Sequence, residues 1–568
     1  MSKWWKGMLL LAALVLATGP AATAADEVMN LLPAQPLVVV RTSGLGPAWA
    51  ALKESPWAEK IDLMAPQDIA NKLQDLRVGL DQLNAAMGVN VEETLEGLFG
   101  GDCVLAVFGE GEAVFIAEGT EVQRLKNAAD SVMLLERNRG RIQAQAKQVY
   151  ELAEITQCTL PDGDRFHCFV GNALVVSKNL DLVKKVVDAA KQAKPLVQTE
   201  LANAFALMAE DSLIRVYIDT DAVAGKAETL LNGRLANPIV KGFVQHMQSM
   251  LALVQFDTLA VALKDGRVEL KNISVIDEHK VPAGLKAMYP KFTVKLDTLQ
   301  LAPESAVWAC AHQLDKAALW KYVIDQVMRR NPALAARLQM YTDSFSAMMG
   351  IQDFEAKLLP QIGDQVAVFV TSDDIPGSVP AISFAIDLKN DKEIPAGIRA
   401  LAGTMIGLAQ LQARRVDIAL ANSTYKGVSF TTLTINNPQF VDRLCPTMFV
   451  AGGKLVFSSN VFAAKAIVDR HAQGYKDPAK TFNLPRYEGT LAFAGRMQSE
   501  ELIKMLARHR DVIVAGGVRK GEPQQEVENG LDLLEFAFSL FDGATFYATQ
   551  STGRIERVIL LDPIVDEQ

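Results

Sequence analysis

With 568 residues, 49% of them hydrophobic and 22% charged, the chain is too apolar for a disordered polymer and long enough to bury more than one core. A formal net charge of −9 argues against nucleic acid as a partner, because no basic stripe is there to neutralise phosphates. Five cysteines without a CxxC exclude a disulfide scaffold, and the odd count leaves at least one thiol unpaired within the chain.

The N-terminus carries Lys3 and Lys6, then an apolar run over 8–17, then Ala22-Thr23-Ala24 with small residues at −3 and −1 of a cleavage site. This pattern over 1–24 is that of a secretory signal, and its apolar run is too short for an ordinary membrane span. Export to the periplasm or the extracellular space is the expectation, with no transmembrane span once the signal is removed. Loss of Lys3 and Lys6 takes the net charge from −9 to −11.

Leu37-Val38-Val39-Val40 reads as a strand broken at Thr42-Ser43-Gly44. Ile69, Leu73, Leu76, Leu80, Leu83 and Met87 then step by 4, 3, 4, 3 and 4, which predicts a helix with one apolar face, buried, stopping at Gly88. Strands are expected over 103–108 and 113–117, joined across Gly109-Glu110-Gly111-Glu112, and a helix over 121–137. Strands follow over 154–160, 165–170 and 173–177, with turns at Pro161-Asp162-Gly163-Asp164 and Gly171-Asn172. Asn179 or Asp181 caps a helix bearing Leu182, Val183, Val186 and Val187. Further strands are expected over 213–218, 256–263 and 268–276, and a helix over 238–254.

The order then repeats. Met87-Gly88-Val89 leading to Gly101-Asp102 recurs as Met349-Gly350-Ile351 leading to Gly363-Asp364, an ungapped offset of 262 (363 minus 101). Leu334, Leu338, Tyr341, Phe345 and Met348 step by 4, 3, 4 and 3 before Gly350. Tyr425 and Val468-Asp469 mirror Tyr150 and Val187-Asp188. Gly452-Gly453-Lys454-Leu455 mirrors Gly171-Asn172-Ala173-Leu174, and Gly553-Arg554 mirrors Gly266-Arg267. The expected class is α+β: two tandem homologous domains, each a mixed, largely antiparallel sheet with amphipathic helices packed on it. The boundaries are a signal over 1–24, copy one over 25–278, a linker over 279–300 and copy two over 301–568.

Leu32-Pro33-Ala34 before the first strand, the Gly101-Asp102 and Gly363-Asp364 turns, and the strand over 455–458 followed by a helix carry a resemblance. The chain resembles secreted bacterial proteins with the uncharacterised domain of unknown function thirty-three fifty-two. That resemblance covers most of the mature chain and implies export and architecture, with no activity attached.

Catalytic signatures are absent. The six histidines (His167, His246, His279, His312, His471 and His509) include no i, i+4 pair and no HExxH, and there is no GxSxG. Gly452-Gly453-Lys454 continues into Leu455, so it reads as a hairpin turn and not a phosphate loop. Arg137, Arg139 and Arg141 form the densest basic run and read as a solvated loop. Asp102 and Asp364 are the acids kept in both copies. As turn residues they would bond nearby N–H groups while the preceding glycine takes a positive φ; as paired carboxylates they would need the halves to meet. Cys158 and Cys168 flank a turn centred near Gly163 with the same parity, which predicts a disulfide. We expect no enzyme, no cofactor and no metal. The expected role is an exported structural or interaction protein with an unknown protein or envelope partner, or alternatively a carrier of an apolar ligand such as lipid.

Overall fold

The computed structural model describes residues 28–43 apart from 34 and 35, residues 71, 74, 78 and 85, and most of 100–191, 199–231, 252–287, 293–412, 418–435, 445–474 and 489–563. The fold is α+β, and all ladders whose registers are resolved are antiparallel. The chain divides into one compact unit of residues 1–279 with 553–560, and a second of 280–552 with 561–568.

Unit 1 runs β1 (Val38–Ser43), β2 (Asp102–Gly109), β3 (Glu112–Glu118), α1 (Val122–Asn138), β4 (Ala144–Tyr150), β5 (Ala153–Leu160), β6 (Gly163–Val170) and β7 (Ala173–Ser177). It continues with α2 (Leu180–Lys191), α3 (Thr199–Ala206), β8 (Ile214–Asp219), α4 (Thr220–Leu231), β9 (Val254–Lys264) and β10 (Arg267–Ile276). Its ladders give the order β4-β5-β6-β7-β3-β2-β1-β8-β9-β10. Val39, Val104, Val114, Ile116, Ile155 and Val175 from the sheet form one core with Val183, Val186 and Val187 of α2 and Leu201 and Phe205 of α3. Their spacing explains the helix: 183, 186 and 187 share one face at about 3.6 residues per turn. Asn179 is the cap of α2, its Oδ1 accepting from Asp181 N at 2.9 Å and Leu182 N at 3.4 Å.

Unit 2 runs β11 (Ala306–Gln313), α5 (Lys316–Arg330), α6 (Pro332–Met348), β12 (Ile362–Thr371), β13 (Ala381–Leu388), α7 (Glu393–Gln412), β14 (Ile418–Tyr425) and β15 (Val428–Ile435). Then come β16 (Thr447–Ala451), β17 (Lys454–Ser458), α8 (Val461–Ala472), β18 (Thr490–Gln498), α9 (Ser499–Arg519), α10 (Gln524–Ser539) and β19 (Gly543–Ser551). The order is β14-β15-β16-β17-β13-β12-β11-β18-β19. Strand for strand, this is the order of the first nine strands of unit 1. Burial alternates strictly along β12, as a strand with one face on a core requires. The last strand, β20 (Arg554–Asp562), pairs with β10, and its residues up to Leu560 count with unit 1.

Within the expected linker over 279–300, the described residues hold a helical turn at Ala283–Lys286 and bury Val281, Leu285, Val294 and Leu299. The polar strand β4 had no sequence signal, because every residue from Ala144 to Val149 is exposed and no apolar alternation marks it. The Ile69–Met87 stripe lies outside the described residues. Most of the helix expected over 238–254 lies there too, and Val254 itself opens β9.

The Cys158–Cys168 disulfide is corrected by the register. Leu160 faces Gly163 across the two-residue turn Pro161-Asp162, so Cys158 lies opposite Arg165. Cys168 sits three residues beyond Arg165, hence on the other face of the sheet, because successive side chains alternate. Both are free, buried thiols. Burial pushes the Cys168 thiol up to about 12 and raises that of Cys158, which leaves both poor nucleophiles.

Candidate functional surface

The two repeated acids do different work in their own units. Asp102 is 6% exposed and holds a guanidinium: Arg41 of β1 donates to its Oδ2 from Nε at 2.9 Å and also from Nη2. The Arg41 guanidinium lies 6.0 Å from the centre of the Phe205 ring. Arg215 of β8, also buried, stands directly across from Arg41 in the ladder. Asp364 accepts from Lys316 Nζ at 2.5 Å at a more exposed position. Each acid is therefore neutralised by a cation of its own unit.

Their glycines serve close approach and not a left-handed backbone; neither Gly101 nor Gly363 has a positive φ. A Cβ on Gly101 would lie 2.6 Å from Glu118 O, and one on Gly363 would lie 2.2 Å from Asp387 Cβ. Both glycines thus sit against the end of the next strand of the sheet.

A second repeated arrangement had been visible only as mirrored positions. Tyr150, at the turn into β5, donates its hydroxyl to Asp188 of α2 at 3.1 Å, with Lys184 Nζ 5.4 Å from the ring centre. In unit 2, Tyr425 donates to Asp469 Oδ2 of α8 at 3.0 Å, with Lys465 Nζ again 5.4 Å from the ring. Each pins a hairpin tip onto a helix. The hydrogen bond from Lys426 is the main cause that lowers the Asp469 carboxyl, and the one to Asp188 is the main cause that raises the Tyr150 hydroxyl.

The remaining candidates carry ordinary loads. Arg139 and Arg141 reach Glu136 at 3.4 and 3.2 Å from an exposed loop. His167 is buried in β6, and that burial lowers its pKa. Among the described residues no group of three or more His, Cys, Asp or Glu is placed to hold a metal ion.

The helix α6 forms where the stripe before Gly350 places it. Asn331 caps it, accepting from Leu334 N at 3.1 Å, and Pro332 opens its first turn. Gly350, at φ +77°, follows its end. The regular apolar stripe implies a core-facing side, yet Leu334, Tyr341, Phe345 and Met348 are 45%, 62%, 40% and 41% exposed. The buried positions are the small Ala335 and Ser346, with Met349 just beyond the helix. At roughly 100° per residue these lie about a quarter-turn from the stripe. Gly397 of α7 allows the approach, since a Cβ there would come 2.8 Å from Met349 O.

On the other side of α6, Gln339, Thr342, Asp343, Asp353 and Glu355 line a cavity of 530 Å³. Its carboxylates are already engaged. Asp343 accepts from Phe354 N at 3.4 Å, Asp353 from Ala356 N at 2.9 Å, and Glu355 from Trp320 Nε1 at 2.7 Å. Among the described residues that line it there is neither a nucleophile–base pair nor a cation.

No family model matches the chain, and no curated protein does. Among solved structures, crystal form I of TP0453 aligns over 47% of this chain and 84% of its own, at 9% identity and a TM-score of 0.24. Crystal form III aligns over 48% and 91%, at 9% identity and a TM-score of 0.25. Likeness at this level carries no argument about this chain. No helix among the described residues is long and apolar enough to cross a membrane.

Proposed function

We propose that this chain is an exported, non-enzymatic interaction protein of the bacterial envelope or periplasm, built from one domain written twice, over 25–278 and 301–568. The duplication is supported by the common order of nine strands and by the Tyr150–Asp188 and Tyr425–Asp469 pairs at mirrored positions. Export rests on the signal pattern, and the envelope setting on the family resemblance.

The observation that carries the interaction role is the uncovered apolar face of α6. A contiguous apolar strip left in water along one helix marks a contact surface. The polar clusters support binding over chemistry, since each acid already holds a partner.

A photoreactive side chain at Tyr341, introduced into the protein in cells, tests this reading. Crosslinks should form from Tyr341 and not from Gln525, an exposed position on α10. Crosslinking at neither position, or equally at both, would sink the interaction role.

A further inference from the structure

We propose that the α5–α6 hairpin docks on an anionic lipid bilayer, lying in its headgroup layer; this rests on the interaction role and names its partner. The face has the two halves of an interfacial helix, an apolar strip and flanking cations. Leu334, Tyr341, Phe345 and Met348 form the strip, and Met328 at the end of α5 adds another exposed apolar side chain.

Charge selects the partner. The sequence of 316–348 contains Lys316, Lys321, Arg329, Arg330 and Arg337 against Asp325 and Asp343, five cations to two acids, in a chain of net charge −9. Lys316 is taken by Asp364. Lys321, Arg329 and Arg337 are exposed and form no ion pair among the described residues. In helical phase Arg337 lies at the edge of the strip, and Asp343 lies opposite it, at the polar cavity. The acid of α6 thus points away from the face its cation borders.

Shape selects a bilayer over a protein. The strip lies on the outer side of a single helix, about 25 Å long at 1.5 Å per residue over 17 residues, and is convex. A protein partner would have to supply a matching groove, whereas a headgroup layer yields to a convex helix. A second copy of the chain is disfavoured, because pairing two such faces sets Arg337 near its own like charge. The exposed apolar residues of α9 and α10 make a contrast: Arg510 there is held by Asp532 and Glu535, and α10 carries Glu526 and Glu528 besides.

The test is flotation of the signal-free full chain with vesicles of mixed phosphatidylglycerol and phosphatidylcholine, and with phosphatidylcholine alone. The chain should float with the mixed vesicles, less at high salt, and little with neutral ones. Arg337→Gln should weaken binding about fivefold, the share of one cation near an anionic surface. Tyr341→Ser with Phe345→Ser should weaken it about tenfold or more by removing inserted apolar area. Thermal melts should match the parent, since the replaced side chains are exposed. Equal binding to both vesicle types, or binding untouched by these variants, would overturn the proposal. So would a stable dimer that Tyr341→Ser dissociates, which would assign the face to a second copy. Absence of flotation alongside Tyr341 crosslinks to a protein would overturn the lipid assignment and leave the interaction role standing.

Discussion

Asp102 and Asp364 occupy the same place in the repeat, and burial makes them unequal. Asp102 and Arg41 are shielded from water, with side chains 8% and 6% exposed. Removing the Asp102 charge breaks a buried ion pair, a change that costs about 3–5 kcal/mol. Asp364 is 39% exposed on its side chain, so water screens its pairing with Lys316, which is worth about 0–1 kcal/mol. In urea unfolding, Asp102→Asn should therefore cost far more than Asp364→Asn; equal losses would mean that the Arg41 pair is solvated. The sequence marked both acids but could not weigh them, because their counterions lie 61 and 48 residues away. The cysteines teach the same lesson about register. Parity around Gly163 looked right, but the turn falls on Pro161-Asp162, and that shift puts the two thiols on opposite faces.

At the scale of elements, periodicity located helices well and their covered side poorly. The expected helix over 121–137 is found at Val122–Asn138, and the four apolar residues named for α2 are all buried. The α6 stripe was equally regular and faces water, because spacing says which residues share a face and nothing about what lies against it. Hairpin tips were read from glycine, which hides the β4–β5 turn: it places Glu151 at φ 49° and Leu152 at φ 73°. The matching turn of β14–β15 has Lys426 at φ 46° and Gly427 at φ 82°. Leu152 thus holds a left-handed conformation that costs a non-glycine residue about 1–2 kcal/mol, with its side chain 97% exposed and nothing to pack on. After the entropy that glycine loses on folding, Leu152→Gly should stabilise the chain by about 0.5–1 kcal/mol in urea unfolding. Destabilisation would mean that the exposed leucine has a partner.

Across the whole molecule, the order of nine strands was legible as a repeat even though single strands were missed. Gly101-Asp102 and Gly363-Asp364 lie at the start of β2 and β12, which hold the same place in the two strand orders. What the mirrored sequence positions could not announce is where the two units differ. Arg41 and Arg215 are buried across from each other in unit 1, and the corresponding ladder of unit 2 sets His312 against Phe493. The proposed account makes unit 2 the one that meets a surface, through α5 and α6. Hydrogen–deuterium exchange of the full chain, with and without phosphatidylglycerol vesicles, tests this most directly. The account predicts slower exchange across 328–348 on adding vesicles, with the strands of unit 1 unchanged. Unchanged exchange over 328–348, or slowing spread evenly over both units, would contradict it.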